Sequence, residues 1–318
     1  MIPTPAKSWT FVVLLRLCFF GLCGWAGLTG CSTEQPTLKP QSPALELPRG
    51  STALTPDAVE GVPNSLEFTQ WLTAFKQTAE AAGLPYYLMG PEQQPSIAAV
   101  AFHYDDFEPQ ILREPRDSYE SPNKKTKGTP GVSAWAALQK SSVAIVGSSF
   151  LSLVRALEPL GLLAIDGEQI SPLEIHGYTR ILGIDGQQRF GVVHRSAYDP
   201  EKFASALQAG PGVIEEGELD ISVRDLERPR YFRSFVATCT DRVLIGVTLE
   251  PMNLRTLGEQ FLQGAFQNHL GCDELINLAG DREAVFALRS DTQLLYHGDP
   301  NDKKAALIGF QRKQPSTE

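Results

Sequence analysis

The chain has 318 residues, 42% hydrophobic and 20% charged, and 28 Lys and Arg against 37 Asp and Glu give it a formal charge of −9. That balance excludes a disordered polyampholyte and a polytopic membrane protein, and it argues against a surface built for nucleic acid backbones. The length allows one large domain or two small ones.

Residues 1–30 read as an export signal, with Lys7 near the start, an apolar run from Phe11 to Trp25 broken by Arg16, and small residues leading to a cysteine. A single spanning anchor is the competing reading, against which Arg16 and the neighbouring glycines weigh. Leu28-Thr29-Gly30-Cys31 resembles a bacterial lipobox. It implies lipidation of Cys31 and a membrane-anchored lipoprotein of the bacterial cell envelope, facing the periplasm or the exterior. Cys18 and Cys23 leave with the signal, so Cys239 and Cys272 remain, either paired or as two buried thiols.

Residues 31–63 turn to Pro, Ser, Thr and Glu, a composition that cannot bury enough apolar surface to offset chain entropy. They are expected to form an extended tether. Residues 64–318 are then a single folded domain. Asn64-Ser65 offers a cap for a helix carrying Phe68, Trp71, Leu72, Phe75 and Ala79 on one stripe and ending at Gly83.

Strand signals dominate beyond Gly83. Ser96–Tyr104 and Val143–Gly147 are β-prone apolar runs, with a short helix expected at Val132–Lys140. The segment from Glu114 to Thr129 is a charged loop. Asp166-Gly167 between Leu162–Ile165 and Glu168–Ser171 predicts a hairpin with a type I′ turn. Asp185-Gly186 and Glu216-Gly217 predict two more. Phe232–Ala237 and Val243–Leu249 read as strands, Leu254–Leu270 as an amphipathic helix entered from Asn253, and Glu274–Leu278 as a buried strand. Together these predict an α+β fold, with helices packed on a largely antiparallel mixed sheet.

Segments in this order resemble the phosphodiester glycosidase family over about residues 96–311. Ala144-Ile145-Val146-Gly147-Ser148-Ser149-Phe150 stands where the family has Ala-hydrophobic-Asn-Gly-Gly-Phe-Phe, and Gly161-Leu162 with Gly167 resembles its Gly-Leu hairpin. Gln208-Ala209-Gly210-Pro211 resembles its Gln-x-Gly-Pro turn, and Arg233-Ser234 its Arg-Ser pair. Leu270–Leu278 matches the strand entering the family's Asp-Gly-Gly-Gly-Ser loop, a place taken here by Ala279-Gly280-Asp281-Arg282-Glu283. Val146 therefore replaces an Asn, Ala279 an Asp and Glu283 a Ser.

The resemblance implies hydrolysis of sugar-phosphodiester bonds, with a sugar-phosphate or glycan as ligand. Such cleavage passes through an oxocarbenium-like state that a carboxylate stabilises, while a cation neutralises the phosphate. On that logic Asp281 and Glu283 are the catalytic candidates and Arg233 is the phosphate clamp. Gln208, Gly210 and Asn277 complete the substrate-binding set. The alternative, motivated by Val146 and Ala279, is a catalytically degenerate protein of the same fold that binds a glycan or a partner. No cofactor is implied. His103, His176, His194, His269 and His297 lack ligand spacing, so no metal is expected.

Overall fold

Ile97-Ala98-Ala99-Val100-Ala101-Phe102 is apolar on both parities, which suits a strand covered on both faces, and all six residues are buried. Ala98, Val100 and Phe102 enter the main core, whereas Ile97, Ala99 and Ala101 enter a second core on the other side. This double burial organises the domain.

The computed structural model describes residues 61–62, 68–113, 132–133, 143–148, 159–175, 178–280, 284–291, 293–299 and 303–314. Among the described residues two α-helices, α1 (Phe68–Ala81) and α2 (Leu254–Gln267), accompany the strands. In chain order these are β1 (Gly61–Val62), β2 (Tyr86–Met89), β3 (Ile97–His103), β4 (Phe107–Leu112), β5 (Val132–Ser133), β6 (Ala144–Ser148), β7 (Leu163–Ile165) and β8 (Glu168–Ser171). There follow β9 (Arg180–Asp185), β10 (Phe190–His194), β11 (Phe203–Ala209), β12 (Gly212–Glu215), β13 (Glu218–Leu219), β14 (Arg233–Cys239) and β15 (Arg242–Thr248). The last are β16 (Cys272–Gly280), β17 (Phe286–Arg289), β18 (Leu294–His297), β19 (Lys303–Lys304) and β20 (Ala306–Arg312). All of them lie within residues 56–318, which form one compact unit.

The strands divide among a six-stranded sheet β1-β18-β17-β6-β20-β4, a five-stranded sheet β10-β9-β11-β7-β8, a seven-stranded sheet β13-β12-β16-β14-β15-β3-β2 and a two-stranded ribbon β19-β5. Only β1 against β18 pairs in parallel among the described strands. The fold class is α+β and largely antiparallel, as the sequence predicts, but spread over several sheets.

The main core gathers side chains from the three large sheets, including Val146 and Phe286, Leu182 and Leu207, and Val236 and Ile276. Trp71 and Phe75 of α1 join it, and the Trp71 indole donates to Tyr296 O at 3.0 Å. The second core lies between the other face of the seven-stranded sheet and α2, where Leu257 and Phe261 meet Phe235 and Leu244. Each such buried Phe or Leu contributes roughly 1.5–3 kcal/mol. Asn253 caps α2 by accepting from Thr256 N at 2.8 Å.

The hairpins at Asp166-Gly167 and Glu216-Gly217 have positive φ at both central residues, as their sequences require. The third hairpin forms with a different turn. Asp185 accepts from Gln187 N and Arg189 N through one carboxylate oxygen, and the positive φ falls on Gln188 rather than on Gly186. An Asx-type side-chain turn has replaced the two-residue backbone turn.

Two boundaries differ from expectation. Gly61–Val62 already pairs with Leu294–Leu295, so the domain takes in residues assigned to the tether. Val132–Ser133, the start of an expected helix, instead pairs with Lys303–Lys304, and residues 134–140 lie outside the described residues. A sheet partner distant in sequence has overridden local preference there. Cys239 and Cys272 face each other on β14 and β16 and are joined in a disulfide.

Candidate functional site

Arg233 opens β14 directly opposite Gly280, the last residue of β16. Its backbone N donates to Thr248 Oγ1 at 2.9 Å and its Nε to Met252 O at 3.4 Å, while the guanidinium lies over the Tyr231 ring at 5.1 Å. Among the described residues no carboxylate comes within ion-pair distance of it. Burial lowers its pKa, an effect opposed by the charge of Asp225, and a guanidinium starting so high stays cationic. Gly280 gives it room: a Cβ there would sit 3.0 Å from Arg233 Nη1.

Asn277 lies opposite Phe235, two residues along β14 from Arg233. A β-bulge between Ser234 and Phe235 interrupts the ladder between this pair and the pair Arg233–Gly280. Asn277 is 2% exposed. Its Nδ2 donates to Gly210 O at 3.3 Å, but its Oδ1 has no hydrogen-bond partner among the described residues. A buried acceptor left open costs about 1–3 kcal/mol.

Gly210 serves the backbone. It has φ +130°, donates to Asn277 O at 3.0 Å, and stands where a Cβ would come within 3.3 Å of Thr179 N. It carries the chain from β11 in the five-stranded sheet to β12 in the seven-stranded sheet, through a cis peptide to Pro211.

Gln208 requires a correction. Its Oε1 accepts from Leu162 N at 3.0 Å and Glu174 N at 2.9 Å, and its Nε2 donates to Glu174 O and Tyr178 O, both at 2.7 Å. Those four bonds use the full capacity of an amide, and the residue is 1% exposed. Nothing remains with which to hold a sugar hydroxyl. Gln208 braces the segment that follows β8 instead.

Val146 and Ala279 are both wholly buried. Ser234 links their neighbourhoods: it pairs with Ala279 on β16, and its Oγ donates to Gly147 O at 3.0 Å. Gln208 similarly binds the Gly161-Leu162 hairpin. Segments scattered through the sequence thus meet around β16. Asp281, Glu283 and Cys31 lie outside the described residues.

Three further ionisable groups are buried or half-buried. Arg180, 5% exposed, pairs with Glu215 and Asp220 at 2.8 Å each. Glu274 is pushed up to about 7, first by burial and then by Glu215 and Asp273. His297 is pushed down to about 4 by burial, flanked by the Trp71 and Phe232 rings. An Arg at the start of an otherwise apolar strand was the available signal for the first. A separate cavity of about 390 Å³, lined by Glu108, Asp166, Gln188 and Ser205, contains none of the candidate residues. No cluster of three or more His, Cys, Asp or Glu capable of holding a metal occurs among the described residues.

No protein-family model matches this sequence, and no curated protein matches it. In three dimensions the chain is similar to the catalytic domain of zebrafish N-acetylglucosamine-1-phosphodiester α-N-acetylglucosaminidase, auto-inhibited by its pro-peptide, with TM-score 0.50 and 10% identity over 72% of this chain and 83% of that one. A hypothetical protein from Synechocystis gives TM-score 0.48 at 11% identity, over 72% of this chain and 62% of that one. At such identity the first likeness concerns architecture: the domain has a phosphodiester glycosidase-like fold of mostly antiparallel sheets, with two α-helices among the described residues.

Proposed function

We propose that the chain is an envelope lipoprotein, anchored through Cys31, whose glycosidase-like domain binds a phosphate-bearing sugar conjugate without hydrolysing it. The observation that carries this reading is a half-buried cation, Arg233, without an ion-pair partner among the described residues, together with an apolar interior at Val146 and Ala279. Arg233 and the open Oδ1 of Asn277 supply a charge for phosphate and an acceptor for a hydroxyl. The two positions where the family resemblance expects Asn and Asp are sealed in the core, so they support the fold and have no proton to move.

Hydrolysis is the second reading, favoured by one feature. Asp281 and Glu283 fall in the three residues between Gly280, which touches Arg233, and Ala284. A carboxylate there would stabilise an oxocarbenium-like state while Arg233 neutralised the leaving phosphate.

The experiment uses residues 56–318 with a panel of α-linked sugar phosphodiesters, measuring binding by calorimetry and sugar release in parallel. Saturable binding without release, lost in Arg233→Ala, is the expected result. Release abolished by Asp281→Asn or Glu283→Gln would replace it with the second reading, and absence of binding across the panel would remove both. Labelling with radioactive palmitate tests the anchor, the expected result being incorporation that Cys31→Ala eliminates.

A further inference from the structure

We propose that the turn from Ser222 to Tyr231 is a docking tip for an anionic phospholipid surface. Val223–Glu227 is a 3₁₀ helix, in which residues three apart eclipse one another, so Val223 and Leu226 stand on one edge. They are 62% and 52% exposed, and Tyr231 follows at 39%. Few large hydrophobic side chains in the described residues are so exposed, and three of them occur within these ten positions. Exposed apolar groups gathered in this way mark an interaction surface.

Charge selects the partner. Arg224, Arg228 and Arg230 are all exposed, and among the described residues Arg224 and Arg230 form no ion pair. Asp225 is turned inward, where its carboxylate accepts from Arg255 N at 3.0 Å, which leaves Glu227 as the exposed acid of the turn. A cationic, apolar tip on a chain of net charge −9 is drawn to an anionic surface while the remainder of the protein is repelled, and this fixes orientation. Protrusion of Val223 and Leu226 suits insertion among headgroups, the way interfacial segments bury aliphatic side chains beside arginines.

The tip is held in shape. Ser222 Oγ accepts from Arg224 N, Arg228 N donates to Asp225 O at 3.0 Å, Arg255 Nη1 donates to Ile221 O at 2.8 Å, and Tyr231 bridges to Met252. Tyr231 also lies beneath the Arg233 guanidinium, so the docking surface is continuous with the candidate site.

Residues 56–318 are sedimented with phosphatidylcholine vesicles made with and without phosphatidylglycerol. The expected result is binding to the anionic vesicles alone, weakened by salt, and reduced about tenfold both in Val223→Ser/Leu226→Ser and in Arg224→Gln/Arg230→Gln. Because these side chains are exposed, both variants should melt at the wild-type temperature. Equal binding to both vesicle types, no binding to either, or binding that both variants retain would overturn the proposal. Capture of a protein partner through these residues, without vesicle binding, would do the same.

Discussion

Ser234 of the seven-stranded sheet donates its Oγ to Gly147 O of the six-stranded sheet at 3.0 Å, and the serine is wholly buried. A side chain that joins two sheets inside an apolar core has no water to fall back on. Ser234→Ala should therefore destabilise the domain by about 1–3 kcal/mol in urea unfolding. A loss below about 0.5 kcal/mol would mean that Gly147 O finds another donor.

Gln208 makes a stronger case. Gln208→Ala removes four hydrogen bonds to backbone and is expected to cost about 3 kcal/mol or more, with the segment from Glu174 to Tyr178 gaining hydrogen exchange. Gln208→Glu should fare as badly, because two carbonyls would then face a carboxylate. A stable Gln208→Ala protein with impaired sugar binding would restore this residue to the ligand site.

The Cys239–Cys272 disulfide closes a sequence separation of 33 residues. By chain entropy such a bridge contributes about 2–4 kcal/mol. The Cys239→Ala/Cys272→Ala protein should have a markedly lower urea midpoint than the oxidised protein, and a reductant should move the wild type toward it. Identical midpoints would show that the bridge adds no stability.

Two groups set the pH dependence in opposite senses. Glu274, raised to about 7, holds a proton in the folded state that the unfolded chain has released above its ordinary value of 4.5, so stability falls as pH rises through that window. Glu274→Gln should remove the fall, a gain at pH 8 on the order of 1 kcal/mol after allowing for partial exposure. His297, lowered to about 4, is neutral in the folded state while the unfolded ring charges below 6.5, so stability is lost as pH drops from 6.5 toward 4. His297→Phe should flatten that acid limb. Melting temperatures between pH 4 and 8 check both signs.

Local signals in the sequence carried a good part of the fold. Asp166-Gly167 and Glu216-Gly217 dictate their turns through backbone alone, and the aromatic stripe of α1 and the Asn253 cap of α2 are likewise local. What escaped was set by distant partners. β4 and β20 pair with each other across two hundred residues, and β5 becomes a strand only because β19 meets it. At the site, Arg233 has no ion-pair partner among the described residues, whereas Gln208 could not be distinguished from a ligand-binding amide until the carbonyls of Glu174 and Tyr178 were in place. Arg180 was missed because its two acids arrive from a different hairpin.

Only three residues separate Gly280 from Ala284, and both stems are fitted closely: Arg233 Nη1 crowds the first, and Gly298 lies so near Ala284 O that no side chain could replace its hydrogen. A methyl group at either glycine would have to displace a guanidinium or a backbone carbonyl, so what fastens these two stems is the absence of a side chain.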